Sequence, residues 1–404
     1  MSLDTIDLTN QDAFVNGVPH EWFATLRREA PIFWHPEPDG GPGFWCLTRY
    51  DDVVTVNRDN QTYSSARGAV FMWDLPPDGL EQQRLMMLNM DPPMHTRYRR
   101  LVNKGFTPRM MTQLEQTARE RTRAILDKVA PRGECDFVPD VAAELTLQVI
   151  ADILGVPQGD RHKMFDWSNR MVGSEDPEYA VSEAEAQVAS MELFAYAAQL
   201  SETKRAQPGA DLISVLSDAE VDGEQLSQLE IDLFFMLLTV AGNETTRNQI
   251  SHGLLALLEN PDQLALLRAR PDLLPGAIEE MLRYASPVMH FRRTATRDLT
   301  LGDTAIAEGD KVVIWYVSAN RDEAVFEDPM RFNIERTPND HVAFGGGGPH
   351  FCLGANLARL EIRLLFEEML ARWPNLELAG EPQRLRSNFI NGMKHIPLKF
   401  STAG

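Results

Sequence analysis

What this sequence has little of narrows the field first. Cysteine is scarce: Cys46, Cys135 and Cys352 are the three in 404 residues, too few and too scattered for a disulfide framework or a zinc cluster. They fit a reducing cytoplasm. Positive charge is short as well, with 39 Lys and Arg against 59 Asp and Glu and a formal net charge of −20. That balance argues against nucleic acid or an anionic membrane as the main partner, because both attract basic surfaces. The richest apolar run, Leu233 to Ala241, falls far below the roughly 20 residues needed to span a bilayer. The acidic opening Met1-Ser-Leu-Asp-Thr-Ile-Asp-Leu-Thr-Asn10 lacks a basic-then-apolar signal pattern. A soluble, cytoplasmic protein without a stable membrane anchor is expected.

Several familiar motifs are missing too. The glycine run has no Gly-x-Gly-x-x-Gly spacing, since His350 occupies the place of the last glycine counted from Gly345. No Gly-Lys-Ser/Thr phosphate loop, Gly-x-Ser-x-Gly elbow or His-Glu-x-x-His helix occurs. There is no internal repeat, low-complexity segment or linker-like change of composition, so residues 1–404 are expected to form one domain.

What is present reads mostly as helix. Gln113–Val129 carries charge and apolar residues at helical spacing, and Glu144–Leu154 closes at Gly155 with Pro157 beyond. Short extended pieces are predicted at Gly43–Leu47, Leu299–Leu301 and Lys311–Val317, where β-branched and aromatic residues cluster. The longest helix should start at Ser227, where Ser227-Gln-Leu-Glu230 has capping-box spacing, and end near Asn260, before Pro261. Apolar residues surround it, which predicts burial through the core.

Three patterns carry the chemistry. The first is Phe344-Gly-Gly-Gly-Gly-Pro-His350-Phe-Cys352-Leu-Gly354, a glycine-rich loop running into a helix-forming stretch. Loop amides and the positive end of the following helix favour a thiolate at Cys352, and a thiolate facing an open pocket is a strong axial ligand for haem iron. A buried structural cysteine is the blander reading. The second is Ala241-Gly242-Asn243-Glu244-Thr245-Thr246, a contiguous polar interruption of the long apolar helix. Such groups must line a cavity or stay buried without partners; a mere helix kink is the alternative. The third is Glu280-Met-Leu-Arg283, an i, i+3 ion-pair spacing.

Taken in this order along the chain, the three resemble the cytochrome P-450 superfamily of haem-thiolate monooxygenases, soluble bacterial type, over nearly the whole sequence. The resemblance implies a mainly α fold with a small β-rich lobe and a long central helix over haem b. It makes Cys352 the iron ligand, with Phe344, Gly354 and Ala241 against the cofactor, and Glu244 and Thr245 the acid–alcohol pair that handles protons. His95 and Arg99, four apart and so on one helix face, together with Arg293 and His350, match the propionate donors; Arg292 replaces Arg293 if the strand register slips by one. Glu280, Arg283 and Arg331 would form a buried structural network, although Asp328-Pro-Met-Arg331-Phe332 departs from the family's wording by its Met. Phe344 precedes Cys352 by eight positions, one more than the common spacing. That spacing resembles a bacterial subset that oxidises sterol side chains and methyl-branched lipids, as do Ala241 to Asn248, Phe165-Asp-Trp-Ser-Asn169 and Gly354-Ala-Asn-Leu-Ala-Arg359.

The expected activity is insertion of one oxygen atom from O2 into an unactivated C–H bond of a hydrophobic steroid, branched lipid or terpenoid. Val70, Met72, Trp73, Leu237, Val240, Val288, Met289 and Ile390, with Phe71 and Val172, are the expected pocket residues; several could instead be core. The chain holds no flavin or iron–sulfur module, so a separate ferredoxin and its NAD(P)H-dependent reductase are expected to supply electrons to a monomer. Arg100, Lys104, Arg109, Arg359 and Arg363 are candidates to dock the ferredoxin, or an ordinary solvated helix surface. Rival readings are a peroxide-driven peroxygenase, against which the Glu244–Thr245 pair weighs, and a haem-based sensor without turnover.

Overall fold

The computed structural model describes residues 1–103, 108–172, 176–179, 182–221 and 223–402. Lys104 and Gly173 lie outside them, as do the side chains of Arg109 and Val172. The helices that position the site are α1 (Tyr50–Arg58), α2 (Met94–Asn103), α3 (Pro108–Val129), α4 (Ala143–Leu154), α5 (Arg161–Val172), α6 (Glu183–Ala206), α7 (Gln228–Glu259), α8 (Leu274–Ala285) and α9 (Ala355–Arg372). No helix among the described residues is long and apolar enough to cross a membrane.

Helix α7 has the bounds its local signals predict. The Ser227 hydroxyl accepts the Glu230 amide at 3.3 Å, and the Glu230 carboxylate accepts the Ser227 amide at 2.6 Å. At the other end the Asn260 amide side chain donates to the Ala256 carbonyl at 2.8 Å, before Pro261 begins a new helix. The 32 residues make a rod about 48 Å long. It runs between α4, α6 and α8, which explains why apolar side chains surround it. Helix α4 stops at Gly155, whose φ of +75° suits a residue without a Cβ.

The lobe beside this bundle is a five-stranded sheet of β1 (Ile32–His35), β2 (Phe44–Leu47), β3 (Tyr63–Ser64), β4 (His290–Ala295) and β5 (Lys311–Trp315), in the order β1-β2-β5-β4-β3. Strand β5 is buried at every position because both faces are covered. Val313 and Trp315 pack with Phe14 and Phe23, and Val312 and Ile314 with Val53 and Val56 of α1. The extended stretch predicted to Val317 ends earlier, at Trp315; Tyr316–Ala319 is a helical turn. There the Tyr316 hydroxyl donates to Asn57 at 3.0 Å, a tertiary contact that outweighs the β-propensity of Tyr and Val.

The Glu280–Arg283 pair is fully buried and bidentate, both contacts at 2.8 Å. Arg283 also donates to the carbonyls of Asn320 and Pro329 at 2.8 Å and of Arg331 at 3.2 Å. The second guanidinium on Glu280 belongs to Arg336, at 3.1 Å. Arg331 therefore enters through its backbone carbonyl while its side chain is exposed, which corrects the sequence expectation. The adjacent Glu279 grips Arg359 of α9 at 2.6 and 2.7 Å and His341 at 3.1 Å. Burial would raise this carboxyl, but the two partners hold it down at about 2, so the α8–α9 link persists across ordinary pH. Glu280→Gln is expected to lower stability by about 3–5 kcal/mol, because it strands two buried guanidiniums. Arg331→Ala should stay within about 0.5 kcal/mol of wild type. Urea unfolding midpoints of the two variants check the contrast.

Candidate functional site

The cysteine loop is shaped by its glycines. Gly345 to Gly348 have φ of +89°, +22°, +97° and +78°, a left-handed path that side chains with a Cβ resist. A Cβ on Gly348 would collide with the Asn57 carbonyl of α1, and Arg58 donates to the Gly346 carbonyl at 3.2 Å. The Cys352 amide closes the loop by donating to the Phe344 carbonyl at 2.9 Å. Phe344 in turn lies under Arg359, 4.6 Å from ring centroid to guanidinium.

Cys352 stands just ahead of α9, with Gly354 at the helix's N-cap position. Its thiol is exposed, whereas Cys46 and Cys135 are buried. Surrounding protein pushes the Cys352 thiol up, and the Gly354 amide, Arg99 and Arg359 pull the other way. Burial raises Cys135 to about 12. One thiol of the three thus combines access with donors and cations that favour its charged form.

His95 and Arg99 of α2, Arg293 of β4 and His350 come together. The two imidazoles lie 4.1 Å apart between centroids. His350 Nε2 donates to the Met90 carbonyl at 3.0 Å, and Arg99 donates to the Pro349 carbonyl at 3.1 Å. Burial, then the Arg99 charge, lowers His95 to about 4; burial, then Arg293, holds His350 well below its ordinary range. Asp91 is within electrostatic range, but it is committed to the Ser64 hydroxyl and the Ser65 amide. His95 Nδ1 is buried without a hydrogen-bond partner. Clustered donors with no free carboxylate beside them among the described residues fit a ligand carrying carboxylates, and haem, with its two propionates, fits this set.

The choice between the adjacent arginines follows from strand pairing. Arg293 is opposite Val312 and Arg292 opposite Val313, so the two point to different faces. Arg292 turns away from the histidines and donates to the Trp73 carbonyl at 2.8 Å and to Asp74 at 2.5 Å.

On α7 the polar stretch divides its side chains among neighbours. Asn243 accepts the Thr146 hydroxyl of α4 at 2.9 Å, and Asn248 accepts the Met393 amide at 2.9 Å. Glu244 accepts Arg247 at 2.5 Å, and Arg247 reaches Asn169 of α5 at 3.3 Å. A Cβ on Gly242 would lie 2.7 Å from Ile150, so glycine here serves close helix packing. Ala241 and Thr245 are left on the open side, exposed and half-buried respectively, and the Thr245 hydroxyl donates back to the Ala241 carbonyl at 2.8 Å. Glu244 and Thr245 are neighbours in sequence but make no hydrogen bond to each other among the described residues. Arg247 escaped sequence reasoning, although its i, i+3 offset from Glu244 repeats that of Glu280 and Arg283.

Of the expected pocket residues, Val70, Leu237, Val240 and Val288 are half-buried. Val288 forms a β-bridge with Ile390, which is itself buried. Trp73 is 43% exposed and stacks on Phe71 at 5.4 Å. Met72 and Met289 do not line open space; they pack with Phe14, Phe23 and Trp315 in the core. Of the basic surface residues, Arg100 is exposed, but Arg359 is held by Glu279 and Arg363 by Glu115 and Glu367.

Comparison with known proteins agrees with this fold. Residues 267–393 match the family model for Cytochrome P450. The chain is 44% identical to a steroid C26-monooxygenase of Rhodococcus jostii over 98% of its own length and 85% of that protein. It is 44% identical to a methyl-branched lipid omega-hydroxylase of Mycobacterium tuberculosis, covering 94% of this chain and 90% of the other. A Mycobacterium marinum cytochrome P450 solved with pseudoionone superposes with a TM-score of 0.92 at 40% identity, covering 99% of each chain. The fold, the exposed thiol in its glycine loop and these relatives lead to one conclusion: the chain belongs to the cytochrome P450 family and is a haem-dependent monooxygenase.

Proposed function

We propose that this enzyme hydroxylates a terminal methyl group on the branched chain of a lipid or the side chain of a steroid. The observation that carries the reading is the apolar character of the half-buried set Val70, Leu237, Val240 and Val288. These side chains offer burial and no charge pairing, at about 25 cal/mol per Å² of apolar surface removed from water. The names of the steroid and branched-lipid relatives support the same substrate class.

Haem b, held through the Cys352 thiolate and by His95, Arg99, Arg293 and His350 at its propionates, supplies dioxygen binding and reduction when bound. The remaining roles belong to the chain. Phe344, Gly354 and Ala241 would pack against the cofactor. Val240 and Leu237, about one and two turns before Thr245, keep water from the reacting carbon. Glu244 Oε1, buried and without a partner, is the atom from which a proton passes towards the Thr245 hydroxyl. That hydroxyl can receive on its free lone pairs, but it must give up its donation to the Ala241 carbonyl to hand a proton on. Electrons come from a separate ferredoxin, itself reduced by an NAD(P)H-dependent reductase, and the enzyme acts as a cytoplasmic monomer of one domain. With Arg359 and Arg363 already paired, exposed Arg100 is the better candidate to meet an acidic ferredoxin.

Three measurements test this reading. Cys352→Ser should abolish the red-shifted Soret band of the reduced carbon monoxide complex, since the thiolate is its origin; a retained band rejects the ligand assignment. Thr245→Ala should keep the substrate-induced optical shift while product per NAD(P)H falls by up to about 100-fold, the lower end for a positioned proton donor. Product analysis by mass spectrometry and NMR should find terminal alcohol from branched fatty acids or steroid side chains, and oxidation mainly at a ring or internal carbon rejects the regiochemistry.

A further inference from the structure

We propose that Arg247 is a positioning residue for Glu244, and that Asn169 makes helix α5 the element that sets where this carboxyl sits. The inference rests on the reading of Glu244 as the proton relay. Glu244 and Arg247 are 2% and 3% exposed. One Nη of Arg247 holds Glu244 Oε2 at 2.5 Å and the other reaches Asn169 Oδ1 at 3.3 Å. The guanidinium also lies over the Phe165 ring of α5, 5.4 Å from its centroid. Three contacts to two helices fix one planar group, and its rigid fork transmits their relative position to the carboxylate.

Helix stability alone does not account for the pair. A desolvated ion pair inside one helix contributes little net stability, and α7 has its capping box and tertiary packing without it. The arrangement is also incomplete in an informative way. Glu244 Oε1 and Arg247 Nε are buried without hydrogen-bond partners, and Thr245 donates to its own helix. In this conformation the carboxyl is therefore held towards α5 and apart from the hydroxyl it serves. Moving it requires Arg247 to move, and Arg247 is tied to α5.

Residues 176–178 are tied to the strand that meets the same turn of α7. Asp176 and Glu178 accept Lys394 at 2.9 and 3.0 Å, and His395 meets Glu178 at 2.8 Å. Met393, immediately before them, bonds through its amide to Asn248, the residue after Arg247. Tyr179 lies within electrostatic range of both Arg247 and Glu244. A shift of α5 relative to α7 thus falls on the Asn169–Arg247–Glu244 chain.

The test is a double-mutant cycle in the haem-loaded enzyme with a ferredoxin, its reductase and a branched fatty acid. Arg247→Gln is expected to lower product per NAD(P)H about tenfold, the scale of one charge-assisted hydrogen bond, with the substrate dissociation constant from the optical titration unchanged within about twofold. Asn169→Ala should lower coupling in the same direction and speed amide exchange of residues 165–171 in the ferric protein, a readout independent of turnover. Combining Arg247→Gln with Glu244→Gln should be no worse than Glu244→Gln alone; additive losses overturn the proposal while leaving the relay intact. Wild-type coupling in Glu244→Gln would instead reject the relay, and the proposal with it. If Arg247→Gln fails to fold, Arg247→Lys replaces it: a lysine cannot bridge Glu244 and Asn169, so full coupling in that variant overturns the role of the fork.

Discussion

The site depends on one backbone constraint: the chain must turn back on itself so that the Cys352 amide meets the Phe344 carbonyl. Four consecutive residues with positive φ make that turn, and only glycine takes such a path without strain. The loop then presses on α1, where Asn57 leaves no room for a side chain at Gly348. Around it, Glu279 clamps Arg359 and Arg359 covers Phe344, so α8, α9 and the loop are joined. The thiol is presented by a frame whose rigidity comes from outside the loop.

Two ion pairs with the same spacing show how tertiary context assigns a role. Glu280–Arg283 has every outward direction filled, by carbonyls, by Arg336 and by the Asn333 amide. A satisfied network of this kind specifies structure. Glu244–Arg247 is equally buried but leaves atoms on both partners unpaired. Buried polar groups without partners are uncommon and mark places where structure yields to function.

Much of this was legible in the sequence where signals are local. The ends of α7 follow from Ser227, Glu230 and Pro261, and the loop before α9 announces itself by its glycines. His95 and Arg99 share a face because they are four apart on a helix. The sequence did not reveal partners chosen across space. Arg336 rather than Arg331 reaches Glu280 because the segment turns back on itself, with Arg336 donating to the carbonyls of Glu327, Asp328 and Arg331. Met72 and Met289 read as pocket residues by composition, yet both pack into the core beside Phe14, Phe23 and Trp315, neighbours supplied by distant parts of the chain. The polar run on α7 looked like a single cavity wall, whereas α4, α5 and the Met393 backbone each claim a part of it.

The backbone bonds between Val288 and Ile390 and between Met289 and Phe389 have an evolutionary consequence. They fix the spacing of two apolar segments through main-chain atoms, which no side-chain exchange removes. Substitutions at positions such as Val288 therefore reshape the apolar surface while this main-chain scaffold stays in place. A lineage built on this frame can change its diet one residue at a time, without relearning how to fold.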